Sequence, residues 1–413
     1  MTPAGLEDLW RGCAPQVLAA LVRRYGDFDA AEDALQEAML AASRQWPDEG
    51  TPDDPTAWLV TVASRRVVDQ SRSEHARAAR EQLVARRTPP DGLVAPPADS
   101  APSVDDSVAL LLLCCHPALA RPAQVALTLR AVAGLSTAQI ARAFLVPEPT
   151  MAQRISRAKA RLRQAGARFT TLPAAELPDR VPAVAHVLYL IFTEGHATTA
   201  GAGLYDVSLT DEAIRLTRRL HGHLPGTSEI TGLLALMLLT DARRAARTGA
   251  DGALVPLAEQ DRRLWDRARI REGVELVEAA LPTGPVGPYQ LQAAIAAVHA
   301  EAPHAQDTDW AQIEILYRML ERVAPGPVVT LNHAVAVAMV DGPRAGLRML
   351  EQLLADEQLR RTHRLHAVRA HLLDLDGRGE EARDAYASAA RLTTSIPEQR
   401  YLNARAERLG VVP

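Results

Sequence analysis

Apolar positions recur at three- and four-residue intervals along almost the whole chain, and no stretch alternates with the two-residue period of a half-buried strand. From about Leu6 to Arg87 this pattern predicts one block of helices. It is interrupted at Pro47–Pro55, where prolines and acids should stop a helix. Residues 88–104 hold repeated prolines and little to bury, which predicts an extended linker. Asp105 and Asp106 then open a helix ending in Leu110–Cys115. Pro122 opens another that Gly134 closes, and Ser136 caps Thr137–Leu145. A last helix of this group carries Pro149 in its first turn and runs to about Ala165. Two short helices joined by a tight turn have the form of a helix-turn-helix. Beyond Thr171 helix follows helix to the end, so the fold class is all-α.

Within Pro149–Ala165, a rotation of 100° per residue gathers Met151, Ile155, Ala158 and Leu162 on one face for packing. The opposite face presents Gln153, Ser156 and Arg157, with Arg154 and Arg161 on its flank. Small hydrogen-bonding groups bordered by arginines suit a major groove lined by phosphates.

Composition sharpens this picture. With 413 residues the chain needs several cores. Aromatics are only 4%, so the helices pack through alanine and aliphatic side chains. The net charge of −4 argues against a general nucleic-acid coat. Its distribution is uneven, however: residues 1–169 hold 20 basic and 19 acidic groups, whereas residues 170–413 hold 26 and 31. Between Met151 and Arg168 lie six cations and no acid, a local patch of the size DNA requires. Three cysteines make no disulfide framework, and no apolar run is long enough for a membrane, so a cytoplasmic protein is expected.

The segments Leu135–Ala141 and Val146–Ala158 resemble the region-four module of bacterial sigma factors, a helix of the L-S-x-x-E-I-A type followed by a recognition helix. That resemblance implies −35 promoter contact by Thr150, Gln153, Arg154, Ser156 and Arg157. Ala31–Ala38 is similar to the A-E-D-x-x-Q-E signature of sigma region two. It implies that Glu32, Asp33, Gln36 and Glu37 form a polar stripe docking on the clamp coiled coil of core RNA polymerase. Ala57–Arg72 is similar to the segment that captures the melted −10 strand, with Arg65, Arg66 and Arg72 as backbone contacts and Trp58, Val62 and Val68 as packing residues. Gln139 and the pair Ser64-Arg65 depart from the family pattern.

The whole chain resembles extracytoplasmic-function sigma factors with a tetratricopeptide-like C-terminal extension. The implied organisation is a region-two domain at 1–87, a linker at 88–104, a region-four domain at 105–169 and an all-helical extension at 170–413. Leu331–Ala336 and Leu365–Ala370 repeat at an offset of about 34 residues, the tetratricopeptide period. The implied partners are RNA polymerase core and promoter DNA. Charge further allows an intramolecular contact between the acidic extension and the cationic helix. An alternative is a helix-turn-helix activator whose extension binds a signal protein or ligand, but that gives no reason for the Ala31–Glu37 stripe.

Cys114-Cys115-His116 lacks the spacing of a metal site and is expected to be packing. Glu194, His196, Asp241, Arg243, Arg244, Gln260, Asp261 and Trp265 either converge on a pocket or seam or form ordinary ion pairs. No nucleophile, base and oxyanion donor share a spacing. No catalytic residue, metal or cofactor is therefore expected, and the chain is not read as an enzyme.

Overall fold

The computed structural model describes residues 3–82, 104–144, 146–167, 177–197, 206–249, 253–282, 284–357 and 359–410. The expected linker up to residue 103 and the segment 168–176 lie outside them. Among the described residues the regular structure is helical, with one isolated bridge between Thr248 and Leu254. No helix there is long and apolar enough to cross a membrane. The chain divides into two compact units, Met1–Val187 and Leu188–Pro413.

The first unit begins with α1 (Pro3–Tyr25), α2 (Phe28–Glu49) and α3 (Pro55–Gln82). Gly26, at φ 72°, ends α1 by donating to Val22 O at 2.9 Å, a left-handed cap that glycine adopts without strain. Asp27 then caps α2, accepting from Asp29 N at 2.9 Å and Ala30 N at 3.1 Å. Along α2, Phe28, Ala31, Leu35, Ala38, Ala42 and Trp46 form the buried stripe. The interruption falls within the expected Pro47–Pro55, between Glu49 and Pro55, rather than at its first proline. Pro47 sits in the last turn, and Gly50, at φ 87°, ends the helix instead. So near a terminus a proline removes only one of the last intrahelical bonds. On α3 the buried residues are Leu59, Ala63 and Val67. Trp58, Val62 and Val68 are half-buried, the core face lying one position away from them. Trp58 still meets Trp46 edge to face, with centroids 5.3 Å apart.

The unit continues with α4 (Val104–Cys114), α5 (Arg121–Ala131), α6 (Thr137–Ala143) and α7 (Glu148–Gln164). Leu110–Cys115 are all buried, and α4 packs on α1. Gln124 of α5 donates its amide to Cys115 O at 3.1 Å and His116 O at 3.0 Å, satisfying carbonyls at the end of α4. Burial pushes the Cys115 thiol up to about 12, so it is inert packing. Ser136 and Gln139 form a reciprocal capping box on α6, a role that glutamine fills as well as glutamate.

Helix α8 (Leu177–His196) carries the boundary between the units. The second unit adds α9 (Val207–His223), α10 (Ser228–Asp241), α11 (Arg267–Ala280), α12 (Pro288–Glu301) and α13 (Trp310–Val323). It closes with α14 (Pro327–Asp341), α15 (Pro343–Ala355), α16 (His363–Leu375), α17 (Gly379–Leu392) and α18 (Ile396–Gly410). Helix α10 is apolar on every side because α9, α11 and α12 surround it. Gly232 permits close approach: a Cβ there would lie 2.7 Å from Gln290 N. Two helical hairpins, α14–α15 and α16–α17, turn at Gly342 (φ 90°) and Gly377 (φ 76°), the glycines of the sequence repeat.

Candidate polymerase and DNA interface

Helix α7 has the two faces its periodicity requires. Met151, Ile155, Ala158 and Leu162 are buried against α5 and α6. Thr150, Gln153, Ser156 and Arg157 are exposed, and Arg154 is partly so. Gln153, Ser156 and Arg157 thus stand together on the free side of a short, rigid helix.

The six cations of this stretch do not act alike. Lys159 and Arg163 turn away from the exposed face and reach α2. Lys159 Nζ lies 3.3 Å from Asp29 and pairs also with Glu32, while Arg163 pairs with Asp29. From α5, Arg130 Nε donates to Glu32 Oε1 at 2.7 Å and its guanidinium to Leu135 O at 3.2 Å. Glu32 is only 6% exposed. Burial pushes its carboxyl up, but the charges and hydrogen bonds of Lys159 and Arg130 more than offset this and hold it below the usual range.

The expected four-residue stripe is therefore divided. Asp33, Gln36 and Glu37 are exposed on α2, whereas Glu32 is enclosed by α5 and α7. Its neighbours in sequence gave no sign of this, because its partners lie on another part of the chain. On α3, Arg65 and Arg66 are exposed, and Arg66 pairs with Glu37 at 3.3 Å. The side chain of Arg72 lies outside the described residues.

In the second unit the polar set from Glu194 to Trp265 separates into distinct groups. Buried Asp241 accepts from Arg244 Nε at 2.8 Å and pairs with Arg269, and Arg244 also reaches Asp211 at 2.6 Å. Asp261 pairs with Arg263 at the surface. Trp265 is buried beneath the Arg262 guanidinium, 4.7 Å from the ring centroid. His196 stacks on Phe192, and burial followed by Arg247, Arg243 and Arg244 depresses it to about 2. Such an imidazole is neutral at ordinary pH and holds no proton to give as a general acid.

Comparison with known proteins matches residues 9–77 to Sigma-70 region 2 and residues 109–162 to Sigma-70 region 4. Residues 180–281 match a family of unknown function, DUF6596. The chain is 44% identical over 416 residues to an uncharacterized protein of Rhizobium meliloti, covering 100% of this chain and 98% of that protein. It is 30% identical over 167 residues to a probable ECF RNA polymerase sigma factor, SigI, of Mycobacterium tuberculosis, covering 40% of this chain and 57% of that protein. No solved structure matches.

Proposed function

The chain belongs to the extracytoplasmic-function sigma factors, with a C-terminal helical extension, and we propose that its promoter selection runs through the exposed face of α7. RNA polymerase core and promoter DNA are its partners. Sigma factor families are not enzymes. In the proposed mechanism, Gln153, Ser156 and Arg157 read base edges of the −35 element while Thr150 and Arg154 hold its phosphates. The observation that carries this is the exposure of those three side chains directly opposite the buried face.

Asp33, Gln36 and Glu37 provide the docking stripe for the clamp coiled coil, with Glu32 joining them once α5 and α7 release it. Arg65, Arg66 and Arg72 follow the backbone of the melted −10 strand, Arg66 exchanging Glu37 for phosphate. The division of labour is by segment: 1–87 for core and −10 contact, 88–104 as linker, 105–169 for −35 contact and 170–413 for control of availability. The paired hairpins turning at Gly342 and Gly377 support a tetratricopeptide-like reading of that last segment. It can exert control by contact with the 105–169 segment, and the protein acts in the cytoplasm.

Run-off transcription with core polymerase and a library of genomic fragments tests the reading. Transcripts that start at a shared −35 and −10 pair are expected. Their absence, with core binding intact, would exclude promoter selection by this chain.

A further inference from the structure

The second unit holds a half-open cavity of about 670 Å³, an ordinary size for a small-molecule site. Its walls come from α10, α12, α13, α14, α16, α18 and the turns near residues 257–264 and 305–308. Trp310, Tyr317 and Tyr401 supply aromatic surface, and the aliphatic lining includes Leu236, Ile295 and Met339.

Three arginines face this cavity, and they are not equivalent. Arg405 is neutralised by Asp374 at 2.6 Å and Glu259 at 3.4 Å. Arg262, 7% exposed, donates to His299 O at 2.7 Å, to Ala302 O and to Thr308 Oγ1 at 3.4 Å; it makes no ion pair among the described residues, and the nearest opposing charge acting on it is that of Asp307. Arg243 has neither an ion pair nor a side-chain hydrogen bond among the described residues. Burial, followed by the like charges of Arg247 and Arg262, lowers it to about 10. The same field acts on His299, which burial followed by Arg243 and Arg262 depresses to about 4. Two guanidinium groups that lack an ion pair in a largely apolar pocket are costly without an anion. Their planar forks match a carboxylate or phosphate.

We propose that this cavity binds a small organic anion, its carboxylate or phosphate held by Arg243 and Arg262 and its apolar or aromatic body resting against Trp310 and Tyr317. Among the described residues lining the cavity, these two arginines make no ion pair, whereas Arg405 makes two. The assignment does not depend on the polymerase and promoter contacts proposed above.

The test is a fluorescence titration of the full chain with 8-anilinonaphthalene-1-sulfonate, an aromatic anion, beside its uncharged analogue N-phenyl-1-naphthylamine. Saturable one-to-one binding of the anion is expected, at least about tenfold tighter than the neutral dye and about tenfold weaker in Arg243→Met, as for loss of one charged contact. Arg243→Met is also expected to raise the thermal midpoint by about 2–4 °C, since an unpaired charge is removed. Ala296→Trp, which fills the cavity from α12 and leaves both arginines, should abolish dye binding and provides the same test should Arg243→Met not fold. Displacement of the dye by 1-naphthoate or by 1-naphthyl phosphate supports the site, and the stronger competitor identifies the head group. Equal affinities for charged and neutral dyes, a folded Arg243→Met protein that binds as tightly as the parent, undiminished binding by Ala296→Trp, or displacement by neither competitor would overturn it.

Discussion

Arg130 Nε donates to Glu32 Oε1 across 2.7 Å, tying α5 to α2 between residues 98 positions apart. Lys159 closes the same group from α7, with its ammonium 5.8 Å from the Phe28 ring centroid and its side chain 15% exposed. It is the sole lysine in a chain whose other cations are arginines. A compact ammonium can sit between Asp29 and Glu32 at once, where a planar guanidinium would meet one carboxylate edge-on. The group therefore holds the proposed core-binding helix against the helix-turn-helix.

Glu32→Ala removes the shared anion, leaving Arg130 without its carboxylate and Lys159 with Asp29 alone. A loss of about 2–4 kcal/mol is expected in urea unfolding, and Lys159→Met added to it should restore part of that loss. Because the folded carboxyl titrates below the usual 4.5 of a glutamate, this stabilisation is fully present above that pH and disappears as pH falls through the depressed value. The difference between Glu32→Ala and the parent should accordingly vanish in strong acid, and strictly additive single and double substitutions would contradict a shared ion group.

Asp33 and Gln36 are exposed on α2, so Asp33→Arg with Gln36→Ala changes the docking stripe without disturbing packing. Weaker capture of core polymerase is expected, with an unchanged thermal midpoint. Undiminished capture would remove these residues from the interface.

Arg157→Ala is expected to cost about 1–3 kcal/mol in promoter binding and to relax preference at one −35 position. The measurement is a binding titration against promoters varied one base pair at a time. A uniform loss with a shallower salt dependence would make Arg157 a phosphate contact instead.

Gly232 lies where α10 and α12 approach most closely. Its substitution by alanine would set a Cβ 2.7 Å from Gln290 N and 2.8 Å from Gln290 Cα. Backbone on both sides leaves no flexible group to yield, so a destabilisation of about 2–4 kcal/mol is expected by chemical denaturation. The same displacement should loosen the cavity, since Leu236 within α10 and Arg243 just beyond it line one side and Ile295 and His299 on α12 the other.

Two partly buried histidines make the second unit acid-sensitive. His299 is depressed from 6.5 to about 4 and His196 from 6.5 to about 2, burial being the first cause in each. The unfolded chain binds these protons first, so stability is full above 6.5 and declines as pH falls toward the folded values. His299→Gln should flatten the fall in thermal midpoint between pH 6.5 and about 4. An identical pH profile in the variant would assign the sensitivity elsewhere.

Much of this protein is legible in its sequence, for a physical reason. The cap at Ser136, the two faces of α7 and the turn at Gly134 depend on groups within about four residues of one another, and local periodicity records them. The pairing of Glu32 with Arg130 and Lys159 was decided by tertiary structure alone, as an acid in a polar stripe has the same pattern whether water or another helix covers it. The cavity is a stronger case. Its lining spans Leu236 to Arg405, and whether Arg243 finds a carboxylate there depends on how separate helices pack, which no spacing along the chain can encode.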